Sequence, residues 1–145
     1  MITLRPGTSA DIDPVLGLVR EFCEIDRHDY DERRIRTALL PLLASTQFGF
    51  VLVAEQGEAL VGYAVLTWGY SLEIGGVEAV LDEFYIRERG RGLGGAMIDE
   101  VVRLARQFGV RRIFLKTERP NMRVRRLYAR HGFVTEDSIW MSRVL

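Results

Sequence analysis

The 145-residue chain is 48% hydrophobic and 28% charged. That is the balance of a folded globular domain, and the length suits one domain with a real core rather than two. One cysteine, Cys23, and two histidines exclude an internal disulfide framework, leave little for a metal site of His or Cys ligands, and fit a reducing cytoplasm. The net charge of zero conceals a split: residues 1–86 hold 14 acids and 6 arginines, residues 87–145 hold 14 basic residues and 6 acids. Such asymmetry points to differently charged partners on the two halves. No apolar run approaches the roughly 20 residues that span a bilayer, and Met1–Pro6 carries no signal-peptide pattern, so neither a membrane partner nor export is expected.

Ile2–Arg5 reads as a short strand. Thr8 or Ser9 caps a helix, with Asp11 three residues beyond Thr8. Ile12, Val15, Leu16, Val19, Phe22 and Cys23 fall on one helical face, which makes Cys23 a core residue and not a nucleophile. Asp29–Glu32 begins a second helix running to Leu40, which Pro41 is expected to disturb. Phe48–Ala54 and Ala59–Tyr70 form an antiparallel hairpin around Glu55-Gln56-Gly57-Glu58, and Glu78–Ile86 is the next strand. A helix follows over Gly92–Phe108, with Met97, Ile98, Val101, Val102, Ala105 and Phe108 on its apolar face and Gly109 at its end. Arg112–Thr117 is a strand, Asn121 caps a helix closed by Gly132, and Phe133–Arg143 is a last strand. The order βααβββαβαβ describes a single three-layer α/β domain over residues 1–145, with a mixed, mostly antiparallel central sheet flanked by helices.

The segment Arg89-Gly90-Arg91-Gly92-Leu93-Gly94-Gly95 joins a strand to a helix. A loop stripped of side chains at a helix N-terminus presents backbone N–H groups to a phosphate. Gly90-x-Gly92-x-x-Gly95 also matches the dinucleotide fingerprint, with Glu118 near the place of a ribose-binding acid. The antiparallel hairpins that precede the loop argue against that reading, as do the two arginines within it. Arginine suits contacts to several phosphate oxygens at once.

Arg89-x-x-Gly92-x-Gly94 resembles the Arg/Gln-x-x-Gly-x-Gly/Ala motif of the GNAT superfamily of acyl-CoA N-acyltransferases. Downstream, Asn121-x-x-Val124-x-x-Leu127-Tyr128-x-x-x-Gly132-Phe133 is similar to that superfamily's Asn-x-x-Ala-x-x-Leu/Phe-Tyr-x-x-x-Gly-Phe motif. The element order matches as well, so the resemblance covers essentially the whole chain. It implies that acetyl-CoA is the co-substrate, with no metal. The amides of Gly90, Arg91, Gly92, Leu93, Gly94 and Gly95 would hold the pyrophosphate, and the pantetheine arm would run beside Phe84-Tyr85-Ile86. Asn121 would bond that arm, while Arg89, Arg91, Arg123 or Arg126 would meet the 3′-phosphate. The chain departs from the family in two places: only Arg87-Glu88 separate Ile86 from Arg89, a shorter turn than usual, and Val124 replaces the usual alanine.

Acyl transfer to an amine needs a group to take the amine's proton, a donor for the oxyanion and a proton for the leaving thiolate. The resemblance places Tyr128 as the acid and a backbone N–H near Tyr85 or Ile86 at the oxyanion. It favours Asp82 over its neighbour Glu83 as base or water-holder. The acceptor, a primary amine of a small molecule or a protein, would meet the acids and aromatics of 29–32, Trp68–Glu73 and the strand carrying Trp140. A homodimer is a further expectation of the resemblance. Two other readings stand beside this one: a non-catalytic acyl-CoA-binding module, and a nicotinamide-dependent oxidoreductase domain resting on the glycine spacing alone. Nucleic acid is not an expected partner, because the five arginines of 119–130 fall within the second motif, which explains that segment better.

Overall fold

The structure is a computed structural model that describes residues 1–145. In chain order it contains β1 (Ile2–Pro6), a 3-10 turn (Ser9–Asp11), α1 (Ile12–Asp26), α2 (Glu32–Ala44), β2 (Gly49–Gln56), β3 (Ala59–Ser71) and β4 (Gly76–Ile86). These are followed by α3 (Leu93–Gln107), β5 (Ile113–Leu115) and α4 (Met122–Arg130). The five strands lie in the order β1-β2-β3-β4-β5; the first three pairings are antiparallel and β4–β5 is parallel.

The sheet divides two cores. Val51, Val53, Tyr63, Val65 and Tyr85 face α1 and α2, whose Val15, Leu16, Leu18, Val19, Leu39 and Leu43 are buried against them. Leu52, Ala54, Ala64, Leu66, Ala79 and Leu81 face the other way, onto Met97, Ile98, Val101 and Ala105 of α3 and Tyr128 of α4. The strict alternation along β2 is what a sheet covered on both sides requires.

Two elements differ from the sequence reading. The second helix does not end at Leu40 but continues through Pro41 to Ala44. Leu39, Leu42 and Leu43 all pack into the α1-side core, and burying leucines at about 1.5–3 kcal/mol each offsets the roughly 3 kcal/mol that an interior proline costs. The last strand, Phe133–Arg143, does not form, and the segment after Gly132 carries no ladder. Its centre is the polar run Glu136-Asp137-Ser138, and the neighbouring edge, β5, offers only three residues. Phe133 closes α4 instead, its N–H donating to the Tyr128 C=O at 3.0 Å. Trp140 lies edge-on to Phe114 at 6.3 Å.

Candidate active site

The site begins with an irregularity in β4. Val65 of β3 pairs with Glu83 and Leu66 pairs with Leu81, so Asp82 is an extra residue, a β-bulge. A bulge resets the alternation of side chains and bends the strand. Ala79 and Leu81 belong to the α3-side core, and without the bulge Glu83 and Tyr85 would follow them there. With it, Tyr85 joins the α1-side core while Phe84 and Ile86 pack toward α3 and α4.

The bulge also marks where the sheet opens. β5 pairs with β4 only at Ala79–Leu81. Past that point β4 keeps its partner on the β3 side, where Arg87 N–H donates to Val61 C=O at 2.8 Å. By alternation the backbone groups of Glu83 and Tyr85 also turn toward β3, and those of Phe84 and Ile86 point into the opening. The Tyr85 amide is therefore engaged within the sheet. Phe84 and Ile86 carry the free donors and acceptors.

The opening widens into a cleft of about 1830 Å³ that reaches Glu83, the glycine loop, Asn121 and Tyr128. This is larger than an ordinary ligand pocket of about 300–1,000 Å³, and residues of the segment after Phe133, Trp140 among them, line it as well. At one end stands the glycine loop. Gly90 and Gly92 have φ of +89° and +75°, left-handed values that suit glycine. Gly92 caps α3 and the first helical turn holds no acid. Ala96 N–H bonds back to Gly92 C=O at 3.2 Å, so the amides of Leu93, Gly94 and Gly95 have no partner within the helix. Three unpaired N–H groups at a positive helix end form a donor set that fits a pyrophosphate.

Gly94 and Gly95 serve a second purpose. A Cβ on Gly94 would lie 3.1 Å from Leu127, and one on Gly95 would lie 2.8 Å from His131 Nε2. These two glycines let α4 approach the start of α3. His131 is fixed there by a 2.8 Å contact from Nδ1 to Asp99 Oδ1.

The arginines separate. Arg89 lines the cleft. Arg91 instead turns to Glu88, 3.4 Å away, and borders a different, small cavity beside Leu93 and Val61. The short turn after Ile86 is held to α1: Arg87 forks onto Glu21 with contacts of 2.6 and 3.2 Å, and the Tyr85 hydroxyl donates to the same carboxylate at 3.2 Å. Asn121 caps α4, its Oδ1 accepting from Val124 N–H at 3.5 Å, and the residue lines the cleft.

Tyr128 sits in a T-shaped arrangement with Phe84 at 6.1 Å and Phe133 at 5.6 Å. Burial alone pushes its phenol up to about 12, so it is neutral and able to donate near pH 7. No buried side-chain polar atom lacks a partner and no protein group bonds the Tyr128 hydroxyl, so that hydroxyl reaches the cleft.

The two acids of β4 have different surroundings. Asp82, on the bulge, is exposed. Glu83 is half-buried and accepts a 2.6 Å hydrogen bond from the Tyr63 hydroxyl. Its carboxyl is raised above the usual carboxylate range, chiefly by burial and further by the Asp82 charge, with Tyr63 and His28 opposing. Cys23, near Glu83 on the α1 side, has its thiol pushed up by burial and then by the Glu83 and Asp26 charges. It remains a thiol, as its place on the apolar stripe suggested.

Trp68, expected to face an acceptor, packs against Phe50 and Phe108 at the far end of α3, and its indole N–H donates to Thr46 C=O at 2.7 Å. Tyr63, Glu21 and Arg87 are the residues sequence reasoning passed over. For Tyr63 a signal existed: a phenol within the apolar run Leu60–Leu66 needs a polar partner once buried.

No group of three or more His, Cys, Asp or Glu side chains is placed to hold a metal ion, and no helix is long and apolar enough to cross a membrane. Among curated protein sequences none matches the chain significantly. Solved structures do. An integron cassette protein from the mobile metagenome of Cole Harbour Salt Marsh is 28% identical, with a TM-score of 0.88 over 98% of this chain and 90% of that one. A provisionally named acetyltransferase of Arthrobacter sp. FB24 is also 28% identical, with a TM-score of 0.84 over 99% of this chain and 96% of that one. A ribosomal-protein-alanine N-acetyltransferase of Brucella melitensis biovar Abortus 2308 shares the fold at 18% identity and a TM-score of 0.76, over 99% of this chain and 100% of that one. The family model of the GNAT acetyltransferases matches residues 15–133, a span that contains the bulge, the opened strand, the glycine loop and Tyr128: the chain belongs to the GNAT acetyltransferase family.

Proposed function

We propose that the protein transfers an acetyl group from acetyl-CoA to a primary amine, by direct attack with both substrates bound. The observation that carries this reading is the opened edge of β4. It runs from the bulge to the glycine loop, with Tyr128 on one side of the strand and Glu83 on the other. The residues fit coenzyme A: the amides of Leu93–Gly95 suit its pyrophosphate, Arg89 and the basic half of the chain suit its further phosphate, and Phe84 and Ile86 offer backbone pairing to its pantetheine amides. Bound there, the thioester supplies the activated acetyl group.

The chain's own residues do the rest. Glu83, with its raised carboxyl, takes the proton from the attacking amine directly or through a water; Asp82 is exposed and lacks that desolvation. An N–H of Phe84 or Ile86 supports the charge that develops on the carbonyl oxygen. The Tyr128 hydroxyl gives a proton to the departing sulfur. The acceptor approaches from the α1 side, where Asp26 and Glu83 favour a cation.

A thermal-shift screen with acetyl-CoA, CoA and NADH tests the first step, and stabilisation by NADH alone would overturn the reading. Thiol release from acetyl-CoA is then followed with three acceptors: spermidine, a lysine-containing peptide and sisomicin. Sisomicin enters because an aminoglycoside acetyltransferase of the same fold, 14% identical, was solved in complex with it. Stabilisation without thiol release from any amine would favour a binding module.

A further inference from the structure

Tyr63 is the largest fully buried side chain of the protein, with no exposed surface. It lies in the middle strand among Val53, Val65 and Tyr85 of the α1-side core. A phenylalanine would fill the same space and need no partner. The hydroxyl instead reaches across to β4 and donates to Glu83 Oε1 at 2.6 Å, the short length of a bond to a charged acceptor. The register makes the contact diagonal: Tyr63 lies opposite Tyr85, and Val65 lies opposite Glu83. Without the Asp82 bulge, Glu83 would stand on the other face and the pair could not form.

We propose that Tyr63 is a positioning residue, its hydroxyl holding the Glu83 carboxylate in one orientation at the cleft and keeping it ionised to accept the amine's proton. This rests on the reading of Glu83 as the base. Burial penalises the Glu83 charge, and the Asp82 charge adds to the penalty. The Tyr63 hydrogen bond is the largest influence in the other direction, ahead of His28. The other ionisable group facing the pair is Cys23 of α1, on which Asp26 of the same helix and Arg34 of α2 act in turn. The phenol itself is raised far beyond its usual value by burial and by Glu83, so it remains a donor throughout the working range.

Tyr63→Phe removes the hydroxyl and keeps the ring. The wild-type and variant chains, labelled with ¹³C at glutamate carboxyls, are titrated by NMR, the Glu83 signal being assigned by its absence in Glu83→Gln. The Glu83 midpoint should move up by about one pH unit in Tyr63→Phe, the scale of one hydrogen bond to a charged group, while the other glutamates stay in place. An unmoved midpoint overturns the proposal. A measurement on the wild-type chain guards against a variant that fails to fold: the Tyr63 ring carbon bearing the hydroxyl should titrate with the Glu83 midpoint, and a flat signal there also overturns it. Failure of the base reading appears separately, as full acetyl-CoA thiol release by Glu83→Gln with an amine that wild type acetylates. That outcome removes the proposal whatever the titration gives.

Discussion

The two faces of β4 past Asp82 are built from opposite materials. Toward α3 and α4 the strand meets glycines, unpaired amides, Arg89 and a neutral phenol, all of them hydrogen-bond donors. Toward α1 it meets carboxylates, each restrained by a donor: Glu83 by Tyr63, and Glu21 by Arg87 and Tyr85. The division of charge along the chain is thus a division across one strand. A single inserted residue makes it possible, since the bulge places Glu83 and Phe84 on faces they would otherwise exchange.

The largest test of this division is Glu83→Gln. Turnover should fall by about 10²–10⁴-fold, the usual contribution of a general base, while stabilisation by acetyl-CoA, held on the other face, is unchanged. The same variant should melt at a higher temperature at neutral pH, because it removes a charge that burial disfavours. Activity and stability then move in opposite directions, and a fall in both would place Glu83 in a structural role. In wild type, kcat/KM should decline on the acid side at a midpoint above the ordinary carboxylate range, since the base must be unprotonated.

Tyr128→Phe should lower turnover by about 10²-fold and also leave acetyl-CoA stabilisation intact. Unchanged turnover would make Tyr128 a packing residue between Phe84 and Phe133. Gly92→Ala acts on the donor face alone. Nothing lies within 4 Å of the added Cβ, so the cost is the left-handed backbone, about 1–2 kcal/mol. Acetyl-CoA affinity, measured by calorimetry, should weaken roughly tenfold; wild-type affinity would mean the loop tolerates another conformation.

The smallest effect on activity belongs to Asp11, which serves as the control. Arg5 holds its carboxyl at about 2 through side-chain hydrogen bonds, with help from the Thr8 N–H. A carboxyl lowered by folding stabilises the native state above its unfolded pKa. That contribution, about 2 kcal/mol, is lost as pH falls from roughly 4 toward 2. Asp11→Asn should flatten this part of the stability–pH curve and leave turnover at neutral pH within twofold.

Much of this was legible in the residues. The periodicity of Ile12–Cys23 and Met97–Ala105 located both helix faces, and two motifs at the right separation located the glycine loop and Tyr128. The bulge was not legible, because Leu81-Asp82-Glu83-Phe84 reads as ordinary alternation until the partner strand sets the register. For that reason the sequence could favour Asp82 only by resemblance and could not show that Glu83 is the acid that meets Tyr63. Nor was the fate of Phe133–Arg143 legible: its composition allows a strand, but forming one depends on the length of edge that β5 presents. Arg91 and Trp68 each have a neighbour, Glu88 and Phe108, that the motif reading did not include.

The short β4–β5 ladder has a consequence for the free chain. Sheet edges normally lie at the rim, where a protein can shield them with charge or a covering element. Here the bare groups of Phe84 and Ile86 sit beside the middle of the fold, flanked by aromatic rings, as a template for any extended peptide. Arg87, Glu88 and Arg89 stand just beyond as a charged fence. A chain whose cleft is filled no longer offers that template, so a ligand bound in the cleft would also make the protein less prone to aggregate.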